Sequence, residues 1–307
     1  MRTAFFQATD SVKLSGILYN GENTTNKIII SVHGMATNCM KMRDEVIAKM
    51  ANEIGIDYFV FNNRGHDLIS YFTKENGEKV IGGTAFEEIS DCFFDILGAI
   101  NWAIENKYDE IYLLGHSLGC TKIVFFYHKM LEQKDREDNG KEKYREKYGD
   151  ILKKIKGVVL LSMVDIPTAL RVYLNDDFAP MLTYAKNMER EQMQNILMPK
   201  EAFIHPISVK NFLRYARDYK DIDFAQYSDS VCDFKELNEI DVPLFMRWGN
   251  ERELILQYAK DLCQNLDGKI QNSKKNIGYI DGADHSYTGK EQELADELRA
   301  FFRKYLE

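Results

Sequence analysis

A glycine-flanked pentapeptide at residues 115–119 places the strongest constraint on how this chain can fold. Its sequence, Gly-His-Ser-Leu-Gly, follows the apolar run 111–114 and precedes a helix-like stretch at 121–127. A serine between two glycines at such a junction is typical of a strained turn, because glycine lets the strand and the helix pack closely. The turn would expose the hydroxyl at the edge of a sheet, which makes Ser117 the candidate nucleophile.

A candidate base for this serine lies near the C-terminus. A serine hydroxyl is a weak nucleophile at neutral pH and needs a base beside it in the fold. The sequence predicts a short strand at 276–280, and the loop that follows contains His285. Because the carboxyl ends of parallel strands meet at one edge of a sheet, we expect His285 and Ser117 to lie on the same edge.

A carboxylate that orients the histidine is expected between these two residues in the chain. A predicted strand at 243–248 ends in the segment Gly-Asn-Glu-Arg-Glu at 249–253. The carboxylate two residues after the glycine, with an apolar pair just beyond it, favours Glu251. Glu253 is the alternative, and Asp165 and Asp233 could supply a carboxylate from other strand ends.

Two backbone amides are candidates for stabilising an oxygen that becomes negative when a nucleophile attacks a carbonyl. One is the amide of Leu118, directly after the candidate nucleophile. The other is the amide of Met35, which follows a His-Gly pair at the end of a predicted strand at 28–32.

Short apolar runs that alternate with helical stretches predict an α/β fold with a mostly parallel central sheet and helices on both faces. An antiparallel hairpin at the N-terminus is expected to form one edge of that sheet. The predicted strands lie at 2–6, 12–19, 28–32, 58–61, 111–114, 158–162, 244–248 and 277–280.

The segment 163–241 is too long for a simple connection between two strands, so we expect it to fold as a helical cap inserted after the sixth strand. The core would then comprise residues 1–162 and 242–307. A cap over the strand ends would wall off the site, although most of its aromatic side chains are expected to form its own core. They are Tyr173, Phe178, Tyr184, Phe203, Phe212, Tyr215, Tyr219, Phe224 and Tyr227.

The composition of the chain argues against one class of partner and indicates a cellular compartment. A net charge of −8 argues against nucleic acid, because phosphate binding needs a basic surface. The five cysteines are scattered and odd in number, which is typical of reduced thiols. No signal peptide or membrane-spanning segment is expected, so the sequence predicts a cytoplasmic protein.

The remaining histidines are interpreted as structural or exposed, and no spacing predicts a metal site. Three of them stand in motifs that hold loops together, one follows the pentapeptide by about three helical turns, and one lies in the cap. They are His33, His66, His116, His128 and His205.

These motifs together resemble the α/β-hydrolase superfamily across nearly the whole chain. The resemblance rests on the segments 33–34, 63–66, 115–119 and 282–285. The second is similar to the Arg-Gly-His-Gly-x-Ser segment of many lipases and serine aminopeptidase-like hydrolases, but Asp67 replaces the second glycine and Ser70 stands one place late. The segment 221–229 resembles a branch that includes siderophore-ester hydrolases, which usually has aspartate where Glu251 stands.

The resemblance implies a serine hydrolase that cleaves a small-molecule carboxylic ester through an acyl-enzyme, with no metal or organic cofactor. Ser117 would be the nucleophile, His285 the base and Glu251 the acid, with the amides of Met35 and Leu118 as oxyanion donors. Two alternatives stay open. One is a peptidase or amidase that uses the same residues, and the other is a binding protein that keeps the fold without catalysis. The oligomeric state is not predicted.

Overall fold

The computed structural model describes residues 1–135, 142–216, 224–227, 229 and 231–305. Their strands, in chain order, are β1 (Arg2–Gln7), β2 (Lys13–Tyr19), β3 (Lys27–Val32), β4 (Asp57–Asn62), β5 (Ser70–Thr73), β6 (Lys79–Gly82), β7 (Glu110–His116), β8 (Ile155–Leu161), β9 (Leu244–Gly249) and β10 (Lys275–Ile280).

The α-helices of this part of the chain are α1 (Met42–Glu53), α2 (Cys92–Glu105), α3 (Leu118–Asp135), α4 (Glu142–Lys154), α5 (Ile166–Leu174), α6 (Phe178–Arg190), α7 (Val209–Ala216), α8 (Lys235–Asn238), α9 (Ala259–Lys269) and α10 (Glu291–Tyr305). Short 3-10 helices lie at Ile89–Asp91, Asn175–Asp177 and Lys200–Ala202.

Eight strands form one twisted sheet in the order β1-β2-β4-β3-β7-β8-β9-β10. β1 and β2 pair antiparallel, and β2 pairs antiparallel with β4. The pairs from β4 through β10 are all parallel. The predicted mostly parallel sheet with an antiparallel edge hairpin is therefore confirmed. The hairpin of β5 and β6 stands apart from this sheet and was not predicted.

The central strands are buried on both faces, because helices cover the sheet from both sides. In β3, Ile28 and Ile30 face one apolar cluster, while Ile29 faces the other. The first cluster includes side chains of α2, α3 and α9, and the second includes those of α1 and α10. Because β3, β7, β8, β9 and β10 pair in parallel, their carboxyl ends lie along one edge of the sheet.

The insertion between β8 and β9 is helical, as predicted, and β8 is the sixth strand of the central sheet in chain order. It contains α5, α6, α7 and α8. Several of its aromatic side chains are buried at 8% exposure or less, but they belong to the apolar cluster that covers one face of the sheet rather than to a separate core: Phe203, Phe212, Tyr215, Phe224 and Tyr227. The residues 217–223 and 228, which include much of the segment that resembles siderophore-ester hydrolases, lie outside the described residues.

The helix α7 attaches this insertion to the core. The Asn211 side chain donates to the carbonyls of Thr84 and Ala85, at 3.2 and 3.3 Å. The amide of Ser208 also donates to the Ala85 carbonyl. Of the helices that the structure describes, none is long and apolar enough to span a bilayer.

Candidate active site

Ser117 lies on the sharp turn between β7 and α3, with a φ of 56°. A positive φ is rare for a residue with a side chain, so the turn is strained. Gly119 allows the turn, because a Cβ there would lie 2.1 Å from the carbonyl oxygen of Val32. Gly115 is equally constrained, since its Cβ would lie 2.6 Å from the Gly119 oxygen. The sequence predicted this strand, turn and helix, and the structure confirms them.

His285 lies on the loop after β10, and its partner is a buried glutamate. Its Nδ1 hydrogen-bonds Oε1 of Glu253. The Glu253 side chain is 2% exposed, whereas that of His285 is 19% exposed. With Nδ1 held by the carboxylate, the lone pair of a neutral imidazole is on Nε2, where a base needs it.

The expectation that Glu251 contacts His285 is corrected, because Glu253 occupies that position. The Glu251 amide donates to the carbonyl of Ala283, at 2.9 Å, and its side chain is exposed. Arg252 then adopts a φ of 47°, which reverses the chain so that the next carboxylate points back toward the histidine. Spacing from the glycine could not reveal this left-handed residue.

The Glu253 carboxylate is held by four donors. Besides His285, the Ser162 hydroxyl donates to it at 2.7 Å, the Gly249 amide at 3.0 Å and the Leu254 amide at 2.9 Å. Burial alone would raise the pKa of Glu253, but the bonds from His285, Ser162 and Gly249 outweigh burial and lower it. The carboxylate is therefore ionised and fixed in one orientation at neutral pH.

The other predicted carboxylates serve elsewhere. Asp165 caps α5 by accepting from the Thr168 amide at 3.1 Å. Asp233 accepts from the Lys235 amide at 3.2 Å. Both hold local backbone turns, and neither carboxylate hydrogen-bonds His285 in the described part of the chain.

His116 joins the turn that holds the serine to the loop that holds the histidine. Its Nε2 donates to the backbone carbonyl of His285 at 2.8 Å, and the two rings lie 5.0 Å apart between centroids. Burial lowers the pKa of His116, so its ring is neutral. Within the described ranges, no hydrogen bond joins the Ser117 hydroxyl to the His285 ring. Such contacts are often long before a substrate binds.

The loop after β3 packs directly against the candidate nucleophile. A Cβ on Gly34 would lie 2.8 Å from the Cβ of Ser117, so only glycine permits this approach. The next residue, Met35, lines the same cavity as Ser117. The amide of Ala36 donates to the Thr84 hydroxyl at 2.6 Å, which anchors the loop. In the described residues, the amides of Met35 and Leu118 donate to no protein acceptor.

A cavity of about 390 Å³ opens beside Ser117 and His285. Its lining comes from the loop after β3, the start of α1, the turn at Ser117 and the loop before α10. Among the described residues of the insertion 163–241, none lines this cavity. The lining residues are Gly34, Met35, Thr37, Lys41, Met42, Arg43, His116, Ser117, His285, Ser286, Thr288 and Glu291.

The histidines outside the site behave as predicted. His66 bonds the Asn63 carbonyl, and His128 bonds Glu239 at 2.6 Å. His205 is half-buried in the insertion, and burial lowers its pKa. The described residues contain no group of three or more His, Cys, Asp or Glu side chains arranged to bind a metal ion.

His33 makes the stability of the fold depend on pH. Its Nδ1 donates to the Gly34 carbonyl, and its Nε2 accepts from the Asn63 amide, so a second ring proton would face a donor. Burial lowers the pKa of His33 to about 3. Between that value and the ordinary 6.5, the unfolded chain binds more protons than the folded protein. The stability that the neutral His33 ring contributes is therefore fully present above pH 6.5, and it is lost as the pH falls toward 3.

We expect His33 to contribute a loss of about 2 kcal/mol in the free energy of unfolding between pH 6.5 and pH 5, at about 1.4 kcal/mol per pH unit. Urea unfolding across this range measures it. In His33→Gln, where the amide can accept from Asn63, the slope should be shallower by about one proton. An unchanged slope would assign the pH dependence to other groups.

The fold is shared with several solved esterases and lipases. Est1E from Butyrivibrio proteoclasticus, solved with ferulic acid bound, superposes with a TM-score of 0.62 at 15% identity, over 99% of each chain. A soluble variant of monoglyceride lipase from Saccharomyces cerevisiae, solved with a substrate analogue, gives 0.62 at 11% identity, over 98% of this chain and 94% of that one.

An esterase of Pyrococcus furiosus gives a TM-score of 0.56 at 16% identity, over 100% of this chain and 91% of that one. No protein-family model matches the sequence, and no curated protein matches it. The topology and these neighbours together show that the chain has the α/β-hydrolase fold.

Proposed function

We propose that this protein is a serine hydrolase that cleaves carboxylic esters through an acyl-enzyme. The observation that carries the proposal is the strained Ser117, which shares one cavity with His285. That histidine is in turn bonded to a buried carboxylate, Glu253. A nucleophile, a base and an orienting acid are the three parts of a Ser-His-acid triad, which is recognised by geometry rather than by sequence position.

In the proposed reaction, the Ser117 hydroxyl attacks the ester carbonyl while His285 Nε2 takes its proton. Glu253 holds the imidazole in the required tautomer and stabilises its protonated form. The amides of Leu118 and Met35 bind the oxyanion. The alcohol leaves with the proton from His285, and water repeats the steps to release the acid. No metal or organic cofactor takes part in this scheme.

The solved neighbours support an ester rather than another substrate. Two are named esterases or lipases from distant organisms, and a third was solved with an aromatic acid bound. We therefore assign a small-molecule ester as the substrate class. All five cysteines are free, which favours a reducing compartment such as the cytoplasm.

We further propose that residues 163–241 act as a cap on a core formed by residues 1–162 and 242–307. Its helix α7 is bonded to the loop that carries Thr84, and Thr84 holds the loop next to Met35. Movement of the cap would thus reach one of the proposed oxyanion donors through a continuous chain of hydrogen bonds.

The test is a matched pair of chromogenic substrates, p-nitrophenyl butyrate and the corresponding p-nitroanilide. We expect turnover of the ester with an initial burst of nitrophenol, because the acyl-enzyme accumulates before water releases it. Faster turnover of the anilide would indicate a peptidase or amidase. Tight binding of both without turnover would indicate a binding protein with the same fold.

A further inference from the structure

The wall of the cavity beside Ser117 and His285 contains a buried arginine that is only partly hydrogen-bonded. Arg43 is 5% exposed and lines the same cavity as Ser117. Its Nε is buried and has no hydrogen-bond partner among the described residues. An arginine remains charged in proteins, so this is a buried cation with an unused donor at Nε.

The carboxylate next in sequence, Asp44, pairs with this cation only through a long contact. Asp44 lies 3.5 Å from Arg43 Nη2, which is at the limit of a hydrogen bond. Asp44 is itself 1% exposed and already accepts from the Tyr58 hydroxyl and, at 3.3 Å, from Ser31. A buried charge that lacks a strong partner is unfavourable. An anion in the cavity would supply a second acceptor for the guanidinium, beside Asp44.

The start of α1 adds to the attraction at the same place. Lys41, Met42 and Arg43 all line the cavity, and no side chain caps the helix. In the described residues, the amides of Met42 and Arg43 have no acceptor. A helix N-terminus with unused amides favours an anion.

Besides Asp44, two carboxylates near this helix end must be weighed against that attraction. Glu45 lies in the first turn of α1 but lines a different cleft, on the side of Tyr19 and Asn52. Glu291, the first residue of α10, does line the cavity and opposes an anion there. Lys41 and Arg43 oppose it, and Asp44 offsets part of the Arg43 charge.

We propose that Arg43 and the start of α1 form a carboxylate-binding subsite, so that the preferred substrates are esters carrying a free carboxylate. This inference rests on the proposed function and names its substrate class. The guanidinium would bind the carboxylate through two parallel hydrogen bonds, while the ester carbonyl of the same molecule faces Ser117. A cavity of about 390 Å³ has room for a short dicarboxylic monoester.

The test compares kcat/KM for p-nitrophenyl hemisuccinate and p-nitrophenyl butyrate, which differ chiefly in the terminal carboxylate. We expect the hemisuccinate to be preferred, and rising ionic strength should reduce the preference. Arg43→Met should lower the hemisuccinate-to-butyrate ratio by roughly 10- to 100-fold, the effect of a lost charged hydrogen bond. The ratio for Arg43→Lys should lie between those of the unmodified protein and Arg43→Met. Glu291→Gln should raise the ratio.

The matched control is Lys49→Met, which removes an exposed cation from the same helix at a position that lines the other cleft. Its ratio should equal that of the unmodified protein. The proposal would be overturned if the unmodified protein showed no preference for the hemisuccinate. It would also be overturned if Arg43→Met changed kcat/KM equally for both substrates. Inhibition by inorganic phosphate that depends on Arg43, without a hemisuccinate preference, would assign the subsite to phosphate instead.

Calorimetric measurement of ligand binding tests this inference independently of the proposed function. Glutarate should bind the folded protein and should bind Arg43→Met at least tenfold more weakly, whether or not any ester is hydrolysed. If both esters fail as substrates but glutarate binding depends on Arg43, the subsite stands and the esterase proposal fails. If butyrate is hydrolysed but glutarate does not bind, the subsite is wrong and the esterase proposal stands.

Discussion

Replacing Ser117 by alanine should abolish ester hydrolysis, with kcat falling by roughly 10⁴-fold or more, as for other serine hydrolases that lose their nucleophile. Only the hydroxyl is removed. The loss should therefore appear in kcat, because the cavity and the oxyanion amides remain to bind the substrate. Steady-state kinetics with p-nitrophenyl butyrate measure it.

The variant should fold as well as the unmodified protein, since alanine removes only one oxygen from the turn. Its unfolding in urea is the control. Ser162 offers a second control. It also follows a strand, but its hydroxyl bonds the Glu253 carboxylate rather than facing the cavity. Ser162→Ala should lower kcat far less, through a less ordered Glu253. Equal losses in both variants would contradict the assignment of Ser117 as nucleophile.

Replacing Glu253 by glutamine should lower kcat by roughly 10³- to 10⁴-fold, the range seen when the triad acid is made neutral. An amide in this position can donate to Nδ1 of His285, which stabilises the tautomer that cannot act as base. It also cannot stabilise the protonated imidazole. Kinetics at neutral pH measure the effect.

The matched control is Glu251→Gln, two residues away and exposed to solvent. It makes the same chemical change in the same loop, and its kcat should stay within about twofold of the unmodified protein. A large loss of kcat in Glu251→Gln, with little loss in Glu253→Gln, would instead identify Glu251 as the triad acid.

Much of this fold could be predicted from sequence because its signals are local. The central strands β3, β4, β7, β8 and β9 are apolar runs bounded by breaks, because burial on both faces removes the alternation of polar and apolar residues. The edge strands β1 and β2 keep that alternation. The hairpin at 70–82 escaped prediction because it lies apart from the sheet. Two of its larger apolar side chains are exposed, Tyr71 at 74% and Ile81 at 43%.

The site was predictable where short motifs fix the backbone, and not where a turn redirects it. Ser117 is set by two close glycine contacts, which the motif encodes. The carboxylate depends on the left-handed Arg252, which spacing does not reveal. Arg43 could not be found either, because its role depends on a cavity between segments far apart in the chain. A charged residue at the start of a helix ordinarily faces solvent.

The most direct measurement of the central claim is the reaction of the folded, unmodified protein with a fluorophosphonate, followed by intact mass and peptide mapping. The account predicts one adduct per chain, on Ser117, with much slower labelling in Glu253→Gln and none at that site in Ser117→Ala. An unlabelled folded protein, or an adduct on a different serine, would contradict it.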